Sequence, residues 1–156
     1  MSISKPVKTY IISFVFTFLF AAAGGIVTYV GMPKYEAANH PFLTPPSWLF
    51  PVVWSILFAL MAIGAARVWL SGKKVSPRTA FIYVLQLTMN FWWCVLFFGF
   101  GLFGFSFFWL IALLAAVIIM AVLFYSADKL SGLLQIPYIL WLGFAAYLNI
   151  SIWLIN

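Results

Sequence analysis

Long apolar stretches, separated by short polar or charged segments, dominate the pattern of this chain. Charged residues are rare at bilayer depth, so uncharged intervals mark candidate membrane helices. A span needs about 20 apolar residues, and the interval 79–127 has 49 residues, enough for two. The runs are continuous and not alternating, which excludes a transmembrane β-barrel. The pattern therefore predicts an all-α membrane protein, a five-transmembrane-helix bundle in a single domain, with helices at approximately 8–32, 47–70, 78–98, 105–126 and 133–154.

Turn signals separate these spans. Segment 33–46 is loop-like, and Ser47 is a candidate N-cap for the second helix because it follows a double proline. Residues Gly99 to Gly104 spell GxGxxG, the pattern of a dinucleotide-binding loop, but that motif requires a preceding strand. With membrane helices on both sides, we interpret these glycines as the turn between the third and fourth spans.

Composition agrees with a lipid environment. Of 156 residues, 67% are hydrophobic and 6% charged, whereas soluble domains have about 45–50% apolar and about 25% charged residues. The net charge of +6 comes from eight Lys and Arg. In a membrane protein such charges set topology and meet anionic headgroups, and no motif of a nucleic-acid-binding protein accompanies them. The expected partner is the lipid bilayer and not nucleic acid.

The positive charges also predict an orientation. With five spans, Lys34 lies at one end of the bundle, and seven cations share the other end with the N-terminus: Lys5, Lys8, Arg67, Lys73, Lys74, Arg78 and Lys129. The positive-inside rule then places the N-terminus inside and the C-terminus outside. The stretch from Lys5 to Ala23 also resembles a signal peptide, but its apolar character continues to Met32, which favours an uncleaved helix.

Few side chains here carry reactive chemistry. The single cysteine, Cys94, is interpreted as a buried packing residue, and His40 as a solvated loop residue. Together they make no metal site, and no cofactor is required. The only acids, Glu36 and Asp128, lie beside span boundaries, so no charged relay of a driven transporter is present in mid-span. The classes of function that remain are a binding protein, a passive conduit and a channel-like scaffold.

Three spans place aromatic and polar residues on one helix face. The faces are Trp54, Phe58 and Met61; Asn90, Trp93 and Phe97; and Tyr138, Trp141, Ala145 and Asn149. Asparagines avoid hydrocarbon and should point into the bundle. The faces fit an aromatic-walled pocket for a flat hydrophobic ligand. They fit equally well plain helix packing with asparagines as interhelical hydrogen-bonding groups.

Three motifs resemble those of the TspO/MBR family, the tryptophan-rich sensory proteins related to the translocator protein or peripheral-type benzodiazepine receptor. Tyr35 and the run from His40 to Phe58, with Pro41, Thr44, Pro45, Pro46, Trp48 and Trp54, resemble the first loop and second helix. The segment Asn90-x-x-Trp93-x-x-x-Phe97-Phe98-Gly99 is similar to the family's third-helix motif. The segment Pro137-Tyr138-x-x-Trp141-x-x-Phe144-Ala145-x-x-Leu148-Asn149 is similar to the family's fifth-helix motif. The motifs occur in the right order across essentially the whole chain.

The resemblance implies a bundle that is often dimeric and binds porphyrin or haem, sterols or benzodiazepine-type ligands beneath the first loop. The implied ligand-binding residues are Trp54, Asn90, Trp93, Trp141 and Ala145, with Tyr35, Phe97, Tyr138 and Asn149; the lid is formed by Pro41, Thr44, Pro45 and Pro46. It implies transport or stress sensing in the bacterial inner membrane. An alternative is light-dependent porphyrin degradation through Trp54 and Trp141. A third is a structural partner of larger membrane complexes.

The chain departs from the family pattern in the first loop. Lys34, His40 and Leu43 stand where the family usually has tryptophan, lysine and tryptophan, which puts the role of the loop in ligand capture in doubt. No Lys or Arg follows Tyr147, so the mammalian cholesterol motif is missing. Small-residue faces such as Gly24-x-x-x-Thr28 let helices approach closely and would allow a homodimer, but this common signal does not identify the interface.

Overall fold

The computed structural model describes residues 4–73 and 75–156; Lys74, one of the cations used to predict the orientation, lies outside that part. The helices are α1 (Lys5–Glu36), α2 (Leu49–Leu70), α3 (Pro77–Cys94), a π-helical turn (Val95–Gly99), α4 (Phe103–Ala127), α5 (Lys129–Leu133) and α6 (Ile136–Ile155). In the described residues there is no strand. Five segments are long and apolar enough to cross a bilayer, counting α3 with the π-turn and α5 with α6 as single spans. The predicted five-helix membrane protein is confirmed.

Helix α1 lies over a cleft between α2 and α3. It packs against both of these helices and against the π-turn, while α4 packs against α3, α5 and α6. Fully buried apolar side chains form the centre of the bundle, among them Met61, Leu87, Leu113, Phe124 and Leu142. The cleft beneath α1 is the concave part of the molecule.

Helix α1 extends beyond its predicted end at Met32. It contains Pro33 and continues to Glu36, although proline usually ends or kinks a helix because it lacks an N–H. Two interactions hold the additional turn: the backbone N–H of Ala37 donates to the carbonyl of Pro33, and the side chain of Tyr35 is buried. The predicted loop 33–46 is therefore shorter and begins after Glu36.

Two other helix starts differ from prediction. Helix α2 begins at Leu49, and Ser47 does not cap it, because the Ser47 hydroxyl donates to Glu36 Oε1 at 2.6 Å instead. The last span is divided into α5 and α6, with Pro137 in the first turn of α6, where its missing N–H costs no helical hydrogen bond.

Glycines allow α1 to approach the third span closely. A Cβ at Gly31 would lie 2.3 Å from the carbonyl oxygen of Phe98, and one at Gly24 would lie 3.3 Å from Sγ of Cys94. Gly24 is buried in this contact. The face around Gly24 and Thr28, predicted as a dimerisation surface, thus faces the interior of the same chain. Cys94 is buried, as expected.

An ion pair joins α2 to the α4–α5 junction. Arg67 donates to both carboxylate oxygens of Asp128, from Nε at 2.8 Å and from Nη2 at 3.1 Å. Asp128 also accepts from the backbone N–H and the hydroxyl of Ser131, so it caps α5. These hydrogen bonds, that from Arg67 above all, lower the pKa of Asp128 from 3.8 to about 2.

Candidate ligand-binding site

A cavity of about 340 Å³ opens in the cleft on the side of the first loop. We call it the lid-side cavity. Its walls come from α1, the first loop, α2 and the third span: Ala21, Gly24, Gly25, Thr28, Tyr29, Met32, Ser47, Trp48, Phe50, Pro51, Trp54, Phe58, Asn90, Trp93, Cys94 and Phe98. The lining is mostly apolar and aromatic, with Thr28, Ser47 and Asn90 as its polar residues, and none of the lining residues is charged.

Trp54 is the centre of an aromatic wall. Its ring centroid lies 6.1 Å from Trp93, 5.8 Å from Phe58 and 6.0 Å from Tyr138, which it meets edge to face. Trp93 in turn stacks on Phe97 at 5.5 Å. Rings at these separations interact favourably and hold one another in place, so one side of the cavity is a continuous aromatic surface.

Asn90 carries the main polar group in this wall. Its Nδ2 donates to the Tyr138 hydroxyl at 3.0 Å, and that hydroxyl donates to Oε1 of Gln86 at 3.2 Å. Gln86 is fully buried and points its Nε2 towards the sulfur of Met61. The chain of polar groups fixes the orientation of the Asn90 amide at the cavity surface.

Asn149 lies behind the wall and positions Trp93. Its Oδ1 accepts from Trp93 Nε1 at 3.2 Å and from the Ser106 hydroxyl at 3.1 Å, and its Nδ2 donates to the carbonyl of Phe103 at 2.7 Å. The side chain is fully buried and joins α3, α4 and α6. It does not line the cavity.

A second aromatic group lies beneath the first loop. The buried ring of Tyr35 is 4.6 Å from His40, 6.0 Å from Phe50 and 5.9 Å from Phe97. Phe50, on the cavity wall, is 6.1 Å from Trp141. In the described part of the chain, no partner reaches the buried polar atoms Tyr35 Oη, His40 Nδ1 or Trp141 Nε1. His40 is half-buried and its Nδ1 is shielded from solvent, so it is less solvated than the sequence interpretation expects.

The predicted site residues therefore fall into two groups. Trp54, Asn90 and Trp93 line the cavity together. The other six do not line it: Tyr35, Phe97, Tyr138, Trp141, Ala145 and Asn149. Sequence reasoning missed the α1 wall and Gln86. Gln86 could have been found from its position, because it is a polar residue in an apolar span one helical turn before Asn90.

The first loop covers this end of the bundle. The backbone N–H and the hydroxyl of Thr44 both donate to the carbonyl of Pro41, at 3.1 and 2.8 Å, which makes a tight turn. Asn39 is hydrogen-bonded to Asn156 through its backbone N–H at 2.9 Å, its side chain and its carbonyl. Lys34 donates from Nζ to the carbonyl of Gly99 at 3.5 Å, at the end of the π-turn.

Five membrane helices, three of which line an aromatic-walled cavity beside a short loop, define a small polytopic membrane protein with a candidate ligand-binding cavity. The sequence profile of the TspO/MBR family matches residues 12–154. The chain belongs to the TspO/MBR family, as its motifs predicted.

Relatives in this family come from bacteria, archaea and mammals. The protein CrtK of Rhodobacter capsulatus is 39% identical over 126 residues, which cover 78% of each chain. The tryptophan-rich protein TspO of Archaeoglobus fulgidus is 39% identical over 127 residues, covering 78% of this chain and 79% of its own. The human translocator protein is 32% identical over 128 residues, covering 79% and 75%.

Proposed function

We propose that the protein binds tetrapyrroles such as porphyrin or haem, or similar flat hydrophobic molecules such as sterols, in the lid-side cavity. The supporting observation is the aromatic wall formed by Trp54, Trp93 and Phe58 in a mostly apolar cavity of about 340 Å³. Small-molecule pockets are typically about 300–1,000 Å³ and have an apolar lining with a few placed polar groups. A planar aromatic ligand gains stacking energy on such a wall in addition to the burial of its surface.

The Asn90 amide supplies a directional contact. One of its N–H groups is used by Tyr138, which leaves the carbonyl oxygen to accept from a ring N–H of a porphyrin or from a sterol hydroxyl. A hydrogen bond made in a water-poor cavity discriminates strongly, because an unpaired polar group there is costly. Asn90 therefore orients the ligand, and the rings supply the affinity.

The biological role that fits this binding is transport or stress sensing. Relatives are named translocator protein in human and tryptophan-rich sensory protein in Cereibacter sphaeroides. The chain has only two acidic residues, so it lacks the series of membrane-embedded titratable groups on which proton-driven transporters rely. Passive movement or ligand-dependent signalling agrees with this composition.

Porphyrin binding to the detergent-solubilised protein tests the proposal. The visible absorbance of protoporphyrin should shift saturably, and Trp54→Leu should weaken binding about two- to tenfold through lost ring interactions. Trp92→Leu is the matched control, because Trp92 lies beside Trp93 but is 45% exposed on the outer surface. The absorbance of the porphyrin is measured because replacing a tryptophan would itself change the fluorescence of the protein. Equal affinity in the two variants would reject the cavity as the binding site.

Light-dependent porphyrin degradation is the second candidate function. Trp54 on the cavity wall is suited to give an electron to a photo-excited porphyrin, with oxygen as the terminal oxidant. Trp141 is separated from the cavity by Phe50, so we assign Trp54 the larger share. Aerobic illumination should bleach bound porphyrin faster than free porphyrin, and Trp54→Phe should remove the difference. Equal bleaching rates for bound and free porphyrin would exclude the activity.

For orientation, we propose the N-terminus inside and the C-terminus outside a bacterial inner membrane. The cations that carry this proposal in the described residues are Lys5, Lys8, Arg67, Lys73, Arg78 and Lys129. The native Cys94 is buried and should not react with an impermeant thiol reagent. Phe42 in the first loop is 98% exposed, so a cysteine introduced as Phe42→Cys reports on which side of the membrane the loop lies. An impermeant maleimide should label it in intact cells.

A further inference from the structure

A second cavity, of about 430 Å³, lies in the same cleft at the opposite end of the bundle. We call it the cation-side cavity. It is lined by Lys5, Thr9, Ile12, Ser13, Phe16, Ala65, Ala66, Trp69, Ala80, Tyr83 and Val84. None of these residues belongs to the predicted ligand-binding site. We propose that this cavity binds one anionic phospholipid, with an acyl chain in the apolar cleft and the phosphate at Lys5.

The shape of the cavity suits a lipid chain. Three alanines, Ala65, Ala66 and Ala80, leave room between α2 and α3, and Phe16 and Trp69 form apolar edges at its opening. Phe16 and Trp69 are 37% and 43% exposed, so the cavity is open to the surrounding bilayer. An elongated apolar ligand can enter sideways from the membrane without crossing water.

The polar groups on the inner wall are occupied by other protein groups. The Ser13 hydroxyl donates to the carbonyl of Ala62 at 2.7 Å, and the Thr9 hydroxyl to that of Lys5 at 3.0 Å. The hydroxyl of Tyr83 is hydrogen-bonded to Thr17. The hydroxyl groups of the cavity interior are therefore all used within the protein, which favours a hydrocarbon chain over a polar solute.

Charge at the opening favours an anionic headgroup. Lys5 is the only charged residue that lines the cavity in the described part of the chain. The only acid at this end, Asp128, is bound by Arg67 and Ser131, and the other acid of the chain, Glu36, accepts from Ser47 at the opposite end. Lys8, Lys73, Arg78 and Lys129 add positive potential nearby. A phosphate placed there meets attraction without a competing carboxylate.

The charge component of the proposal is tested by titrating the solubilised chain with phosphatidylglycerol and phosphatidylcholine of identical acyl chains, counting bound lipids by native mass spectrometry. We expect one preferred phosphatidylglycerol. A basic residue near an anionic lipid contributes about 1 kcal/mol, so Lys5→Gln should lower the preference about fivefold. Lys8→Gln removes the same charge from the same helix outside the cavity and should change it much less. An equal effect of both variants would show general surface attraction and reject the site.

The acyl-chain component needs a variant that leaves the charges unchanged. Ala80→Leu fills the cavity and should weaken binding of both lipids, whereas Ala115→Leu on the exposed face of α4 should have no effect. A thermal unfolding curve for each variant establishes that it is folded. Undiminished lipid binding by folded Ala80→Leu would overturn the proposal.

The source of the phosphate is tested by competition. Inorganic phosphate and glycerol phosphate in large excess should fail to displace phosphatidylglycerol, because they lack the chain. Displacement by either would identify a simple anion site and overturn the lipid assignment. Porphyrin affinity measured in parallel should be the same for Lys5→Gln and the parent chain, so failure here is distinguishable from failure of the lid-side assignment.

Discussion

Asn149 holds the cavity residue Trp93 in position, although it does not itself line the lid-side cavity. It accepts from Trp93 and Ser106 and donates to the carbonyl of Phe103. In a lipid environment a lost hydrogen bond is not replaced by water, so each group left unpaired costs free energy. Trp93 would also lose the contact that fixes its ring plane.

We therefore predict that Asn149→Leu lowers the free energy of unfolding by about 2 kcal/mol or more and weakens porphyrin binding through Trp93. The matched control is Thr88→Val on the exposed side of α3, whose hydroxyl bonds only to the carbonyl of Val84 in its own helix. Thermal unfolding and porphyrin titration measure the two effects. If Asn149→Leu lost stability but bound porphyrin normally, the role of Asn149 in positioning Trp93 would be refuted.

Sequence reasoning found the site residues that carry recognisable chemistry. Trp54, Asn90 and Trp93 could be predicted to share a surface because helical spacing and the cost of polar groups in hydrocarbon both direct them inward. The α1 wall could not be found in this way. Ala21, Gly24 and Gly25 contribute to it by having almost no side chain, and the absence of a side chain signals helix packing as readily as a cavity.

At the scale of helices, α1 contacts the π-turn at Gly31, next to the cavity residues Met32 and Phe98. Gly31 lies against the backbone of Phe98, so an added methyl group has no flexible neighbour to displace. Alanine is about 1 kcal/mol better than glycine in a helix interior, which opposes the clash. A Cβ 2.3 Å from a carbonyl oxygen is the larger effect.

Gly31→Ala should therefore lower the melting temperature and weaken porphyrin binding, because α1 must move away from the third span. Gly143→Ala is the control: a Cβ there meets nothing within 4 Å, so only the gain in helix propensity remains. Melting curves of both variants in the same detergent test this pair. A melting temperature for Gly31→Ala at or above that of the parent would show that α1 adjusts freely.

Helix positions were predictable from the intervals between charges, and helix ends were not. The sequence predicts that α1 ends at Met32, before Pro33, but burial of Tyr35 favours one more turn. Ser47 has the residue type of an N-cap, yet its hydroxyl donates to Glu36, a residue at the end of the preceding helix. Such ends are decided by tertiary contacts that outweigh a local capping preference worth about 1 kcal/mol.

The Arg67–Asp128 pair connects α2 to the α4–α5 junction and gives a pH dependence. The pKa of Asp128 is lowered to about 2, so the pair stabilises the folded chain fully above about pH 5. This contribution is lost as pH falls from about 4 towards 2, as the carboxylate is protonated.

Asp128→Asn should lower the melting temperature at pH 7 by about 2–4 °C, for a pair worth about 1 kcal/mol. Asparagine can still cap α5 by accepting from Ser131. The decrease in melting temperature therefore measures the loss of the carboxylate charge. The difference between variant and parent should shrink between pH 5 and pH 3. Glu36→Gln, at the other end of the bundle, controls for general acid effects. A difference that stayed constant over this range would contradict the assignment.

At the scale of the whole molecule, both cavities lie in one cleft beneath α1, and a packed layer separates them. Thr17, Met61, Gln86 and Leu87 in this layer are fully buried. Thr17 is hydrogen-bonded to Tyr83, which lines the cation-side cavity, and Gln86 belongs to the polar chain behind the lid-side cavity. Movement of a ligand along the cleft would require this layer to open.

A closed layer predicts that the two cavities bind independently. Saturating the protein with protoporphyrin should leave phosphatidylglycerol affinity unchanged, and saturating it with phosphatidylglycerol should leave porphyrin affinity unchanged. By linkage, any coupling must appear equally in both titrations, so each experiment checks the other. Reciprocal coupling of fivefold or more would contradict a static layer. In that case Thr17→Val, which removes the hydrogen bond to Tyr83 at nearly constant volume, should alter the coupling, whereas Thr88→Val on the outer surface should not.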